Sequence, residues 1–297
     1  DSYGNPWHWA EKASGSTQWK EVDTLIAGIP SLPVRTYRDN NQDEYRHEEN
    51  LHTWYKTSAV VNRRLYAGNV SYFNKNAMDL KDSDPDGLTV PIHYPDRILR
   101  SPVNKFDILP ESKYIETLSN DGQDIVKLES LGSNLLIFKH DDLIVMDCSG
   151  EIEVVVATYR GYGITNPLQV AKTPNSIYWM SSTGIFTFDG ENPPVNIIRE
   201  KIPSTEWLDN IWNNSSHLAY EPQENLLLAF TRWKGNPGDS PHPNQVLSYN
   251  IDTEAVFHKS SLGITRSSAS VLANSKLYVG TTTLDDNFGN EVFNNLF

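Results

Sequence analysis

The sequence predicts an all-β chain, a β-propeller of about five to seven four-stranded blades with long inserted loops and one short helix. Three observations predict it. Apolar hairpins restart at near-regular intervals, the composition favours strands and turns, and one segment has the spacing of a helical face.

The repeat is plainest in two stretches. "SNLLIFKHDDLIVMDCSG" (133–150) and "NSIYWMSSTGIFTFDG" (175–190) each read as an apolar strand, a four-residue polar turn, a second strand, and an Asp followed closely by Gly. An offset of 42 residues aligns Leu136 with Tyr178, Phe138 with Met180, Leu143 with Ile185 and Asp147 with Asp189. "YEPQENLLLAFTRWK" (220–234) and "SASVLANSKLYVGTTT" (268–283) restart the layout. With "RRLYAG" included, starts fall near residues 65, 135, 177, 227 and 277, and the last four are 42, 50 and 50 apart. A small sheet has two faces that only neighbouring sheets can bury, so several in a ring bury what one cannot. A β-sandwich predicts no such regular restart.

Taken in order, residues 1–54 read as an N-terminal extension or partial blade, and 55–297 as the propeller body. "SAVVNRRLYAGNVSYF" (58–73) is the first repeat. Residues 74–112, dense in Asp, Pro and Asn, read as a long inserted loop region. Residues 124–159 hold three or four short strands. In the fourth repeat "GNPGDSPHPN" separates the strand from its return strand "QVLSYNIDT". The helix falls in "IPSTEWLDNIWNN" (202–214). Pro203 and Ser204 open it, Glu206 sits in its first turn, and Trp207, Leu208, Ile211 and Trp212 share one face.

The composition agrees and narrows the function classes. Charged residues are only 21% and aromatics 11%, a balance that suits many short strands better than a helical bundle. A formal charge of −13 argues against simple adhesion to a phosphate backbone, and suits a wall that nucleic acid passes without sticking. Cys148 is the single cysteine, so neither a disulfide framework nor a cysteine zinc site is expected. No stretch reaches the ~18 apolar residues of a membrane span, and no signal peptide opens the chain. It begins with Asp and stops inside an apparent strand, "EVFNNLF", so a fragment of a longer polypeptide is expected.

No catalytic pattern emerges. A nucleophile elbow, a P-loop and a dinucleotide fingerprint are missing, and "RGYGITN" (160–166) reads as a turn. His47 and His52 lack the spacing of a zinc helix. "DSDPDG" (82–87) resembles the start of a calcium loop, which would need Glu at 93 or 94, where His93 and Tyr94 stand. "FDGENPP" and "MDCSGE" lack the Ser and Trp of a sialidase-like Asp-box, and no Trp-Asp dipeptide marks a WD repeat. Asp147 and Asp189 therefore read as strand-end turn formers. No catalytic, cofactor-binding or metal residue is assigned, and no cofactor is expected. Trp207, Trp212 and Trp233 are the candidate partner-contact surface.

"NRRLYAGNV", "NLLIFKHDDLIVMD", "PLQVAKTPNSIYWMSSTGIFTFDGE" and "NSKLYVG" together resemble the propeller body of tail proteins from short-tailed bacteriophages. That family comprises the tail nozzle, or tail tubular protein B, and related propeller-bearing hub proteins. The resemblance covers 55–297 and is closest over 124–200. It implies a non-enzymatic virion protein, assembled in the host bacterial cytoplasm, with about six copies in a tube. Its partners would be other copies of itself, the portal or adaptor, and tail fibre proteins. Double-stranded DNA would pass through without sequence-specific binding, and no stable membrane insertion is implied. Two other readings of the propeller stay open: a glycan- or host-receptor-binding module, and a glycosidase with converging carboxylates or a Tyr nucleophile.

Overall fold

The computed structural model describes residues 34–36, 51–72, 92–106, 109, 113–116, 122–214, 216–231, 245–259, 267–273, 276–284 and 291–294. The chain divides into two compact units, Asp1–Glu129 and Ser130–Phe297, whereas the sequence reading drew its boundary at residue 54. That earlier boundary falls inside a strand.

In the first unit, β1 (Val34–Thr36), β2 (Leu51–Val61), β3 (Arg64–Tyr72), β4 (Ile92–Arg100) and β5 (Tyr114–Glu116) form one antiparallel sheet in chain order. Asn62 and Arg63, both left-handed at φ 45° and 60°, make the tight link from β2 to β3. Such a two-residue turn follows the natural twist of the strands it joins. Ala67, Val70, Tyr72, Leu99 and Leu109 form the buried core of this sheet. β4 lies within the stretch read as an inserted loop. Its Pro95 sits where the register slips opposite Gly68 and Val70, and a bulge is where a strand tolerates proline. Arg97, just beyond, lies between the rings of Tyr94 and Tyr114, 3.9 and 4.2 Å from their centroids. It donates to Tyr72 Oη (2.7 Å) and Glu116 Oε1 (2.5 Å). Burial works against its charge, and the bonds to Glu116 and Tyr72 more than compensate, raising its pKa.

β6 (Ile125–Leu131) carries the boundary between the units. Its sheet continues through β7 (Asn134–Lys139), β8 (Asp142–Asp147) and β9 (Val154–Arg160). The next sheet is β10 (Val170–Lys172), β11 (Ile177–Ser181), β12 (Gly184–Phe188) and β13 (Val195–Asn196). Then come β14 (His217–Glu221), β15 (Leu226–Thr231), β16 (Gln245–Asn250) and β17 (Val256–Lys259). β18 (Ser267–Ala273), β19 (Lys276–Leu284) and β20 (Glu291–Asn294) make the last sheet among the described residues. Every sheet is an antiparallel meander. β10 packs beside β14, and β14 beside β18 and β19, while β9, β13 and β17 form the far edges of their sheets. The fold is an all-β propeller of about four blades, and within the second unit neighbouring blades follow chain order.

The repeat offset is realised residue for residue. Phe138 pairs with Leu143 as Met180 pairs with Ile185, and Leu136 with Val145 as Tyr178 with Thr187. The five repeat starts fall in β3, β7, β11, β15 and β19. The turns are tighter than expected. Lys139 and Asp142 are buried strand residues, and Ser181 pairs with Gly184, so each hairpin turns on two residues rather than four.

Blade packing explains the continuous apolar runs. All of β11 is buried, and alternate side chains serve different neighbours. Trp179 meets Phe138 of the preceding blade edge-on at 5.4 Å and stacks on Phe186 at 5.7 Å. Tyr178 and Met180, on the opposite face, share one core with Leu218, Leu227, Ala229 and Leu247 of the following blade. β15 repeats the device: Leu227 and Ala229 face back, while Leu226, Leu228 and Phe230 form a second core against which Leu277 of β19 packs. A strand buried on both faces has no polar side to alternate with.

Candidate functional site

The helical segment is shorter and wider than its sequence spacing suggests. Pro203 precedes one α-helical turn, Ser204–Glu206, which opens into a π-helical turn, Trp207–Ile211. The Trp212 N–H closes it on the Trp207 carbonyl at 2.8 Å. A wider turn aligns Trp207 with Ile211, both buried, and rotates Leu208 out to solvent.

Burial overturns the assignment of Trp207 to a contact surface. Its side chain is 1% exposed, and its Nε1 donates to the Ser181 carbonyl at 2.9 Å, which ties the helical turn to the end of β11. Trp212 is half-buried and packs on the same core. Trp233, His47 and the "DSDPDG" stretch lie outside the described residues.

Beside the helical turn is a cleft of about 890 Å³, lined among others by Tyr162, Phe186, Asn196, Lys201, Trp207 and Tyr249. Gly184, at φ 146°, leaves room for the Asn196 side chain that lines the cleft, because a Cβ at 184 would run into it. Asn196 Nδ2 donates to the Thr183 carbonyl (3.0 Å), and its Oδ1 accepts from the Ile198 N–H (3.1 Å). Lys201 lies 3.6 Å from Glu254 and 4.8 Å from the centre of the Tyr249 ring. Burial, then the charge of Glu254 and the nearby Tyr178, pushes the Tyr249 phenol up to about 12. It is a neutral phenol at ordinary pH, not an activated nucleophile. Among the described residues, no group of three or more His, Cys, Asp or Glu is placed to hold a metal ion.

The two strand-end aspartates form turns. Asp147 Oδ1 accepts from the Ser149 N–H (2.9 Å). Asp189 Oδ1 accepts from the N–H groups of Glu191 (2.9 Å) and Asn192 (2.8 Å), and its Oδ2 from Asn192 Nδ2 (2.8 Å). Those bonds, the Asn192 side chain first, hold the Asp189 pKa below its ordinary value. A depressed carboxylate pKa contributes stability that is present above the unfolded value and is lost as pH falls through the folded one. Asp189→Asn is expected to flatten the loss of melting temperature below about pH 4. A parallel acid decline in wild type and variant, measured by calorimetry, contradicts this role.

The "RGYGITN" segment folds over the β7–β8 turn. The N–H groups of Gly161 and Gly163 both reach the Asp141 carbonyl, at 2.7 and 3.0 Å, and Ile164 N–H reaches Lys139 O at 2.9 Å. At the far edges of the blades, large apolar side chains stand in solvent: Val154, Val155 and Val156 in β9, Val195 in β13 and Phe257 in β17. Sequence alone did not distinguish these from core valines and phenylalanines.

No protein-family model matches the chain, and no curated protein matches it. Among solved structures it is similar to YCF48 bound to D1 peptide, with a TM-score of 0.43 and 9% identity over 77% of this chain. The chain spans 61% of the length of that protein. It is also similar to a Bacteroides fragilis protein crystallised as a candidate 6-phosphogluconolactonase (TM-score 0.41, 10% identity, 80% of this chain and 82% of that one). A third is the Pan2 WD40 domain of Neurospora crassa (TM-score 0.41, 9% identity, 80% of this chain and 61% of that one).

Proposed function

We propose that this chain is a structural subunit of a bacteriophage tail, one of about six copies ringed into a tube that retains DNA and conducts it during ejection. The observation that carries the reading is the exposed apolar side chains on the outer strands of three consecutive blades. Exposed hydrophobic groups on outer strands favour contact with a neighbouring subunit. A net charge of −13 supports a wall that repels phosphate rather than binding it. The sequence resemblance to tail nozzle proteins supplies the particular machine.

A second reading, glycan binding, draws on the cleft, where the aromatic Tyr162 and Phe186 neighbour the polar Asn196 and Lys201. Particle mass separates the two. Mass photometry of the full chain is expected to give a closed particle of about six 33.6 kDa chains. A monomer that binds an oligosaccharide through the cleft, or that turns over a glycoside, overturns the tail reading.

A further inference from the structure

β9 is the last strand of its sheet: β8 pairs with one side, and no strand neighbours the other among the described residues. Ile152, just before it, is 79% exposed, and Val154, Val155 and Val156 are 56%, 46% and 57% exposed. The register slip opposite Val145 and Met146 leaves Val156 without a partner on β8, and three consecutive valines meet solvent. All four residues are β-branched strand formers. Free edges are normally blunted by Lys, Pro, inward charges or bulges, and the run from Val154 to Tyr159 carries the one bulge at Val156 and none of the others. An edge of this composition is a template for another strand.

We propose that β9 pairs antiparallel with β9 of a second copy of this chain. The charge order along the segment selects that occupant. Glu151 and Glu153 stand at its entrance, Arg160 at its exit, and everything between is uncharged. Reversing one copy sets the acidic end of each beside the basic end of the other, whereas a parallel pair would align like with like. The pattern is self-complementary only about a two-fold axis, which makes the contact isologous. A two-fold strand pair differs from the head-to-tail contacts of a ring, so the proposal does not rest on the tail reading.

Sedimentation velocity of the full chain over a concentration series tests it, with melting temperature recorded for each variant. The wild type is expected to form a β9-paired dimer, free or as the repeating pair of a larger particle. Arg160→Glu alone, and Glu151→Lys with Glu153→Lys, should each weaken the dimer about tenfold or more. All three changes combined should restore it, because the order of charges is then inverted but still complementary. Val156→Lys should abolish it. A wild type that stays monomeric to about 100 µM overturns the proposal, as does self-association indifferent to every one of these variants. A ring that survives them all overturns β9 pairing and leaves the tail reading standing. A dimer that follows the charge swap without any ring does the reverse.

Discussion

Trp179→Ala is expected to destabilise the second unit by about 3–5 kcal/mol, the range for removing a fully buried large aromatic. The indole has no exposed surface and fills the space between two blades, against Phe138 on one side and Phe186 on the other. Deleting it opens a cavity at the joint rather than at a surface that can collapse. A comparison of two Phe variants refines the test. Among the described residues Trp179 Nε1 has no hydrogen-bond partner, so Trp179→Phe removes a buried unsatisfied donor along with some volume, and the two effects offset to within about 1 kcal/mol. Trp207 Nε1 is bonded to the Ser181 carbonyl, and Trp207→Phe leaves that buried carbonyl without its donor. Urea denaturation should therefore rank Trp207→Phe as the more damaging of the pair, by about 1–3 kcal/mol. The reverse order would contradict the assigned roles of the two indoles.

Gly163→Ala is expected to cost about 2–3 kcal/mol, as overpacking against rigid atoms does. A Cβ at 163 would run into the backbone carbonyl of His140, and neither atom can rotate aside. Relief requires the segment to lift from the β7–β8 turn, with loss of the bonds from Gly163 and Ile164 to Asp141 and Lys139. Gly161 provides the control. Its φ is +80° and nothing lies within 4 Å of an added Cβ, so Gly161→Ala carries only the left-handed backbone strain of about 1–2 kcal/mol. Thermal melts should show the larger drop for Gly163→Ala. Equal or inverted drops would remove the close approach as the reason for glycine at 163.

The blade repeat was legible in the sequence because β7, β11 and β15 are buried on both faces and so appear as unbroken apolar runs between polar turns. The hairpin register was legible for the same reason: aligning the runs aligned the cross-strand pairs. β4 was not, because Pro95 disguises a bulged strand as loop. Lys139 and Asp142 read as turn because a charged pair normally marks solvent, yet both are buried. The i, i+4 spacing of Trp207 and Ile211 fits an α-helix and a π-turn equally, so helix length was overread and Leu208 was placed on the wrong face. The cleft was invisible in the sequence, since its lining is gathered from Tyr162, the stretch from Thr183 to Trp207, and the distant Tyr249 and Glu254. The exposed edge of β9 was hidden by its own composition, for "EVVVATY" is what a buried strand also looks like.

Neighbouring blades hold each other up only if side chains from one interact energetically with side chains from the next, and the Phe138–Trp179 contact is the place to measure it. A double-mutant cycle with Phe138→Leu and Trp179→Leu, followed by equilibrium urea unfolding, is predicted to give a coupling energy of about 1 kcal/mol. Additivity within about 0.3 kcal/mol would mean the two sheets merely lie side by side, and would contradict a shared inter-blade core.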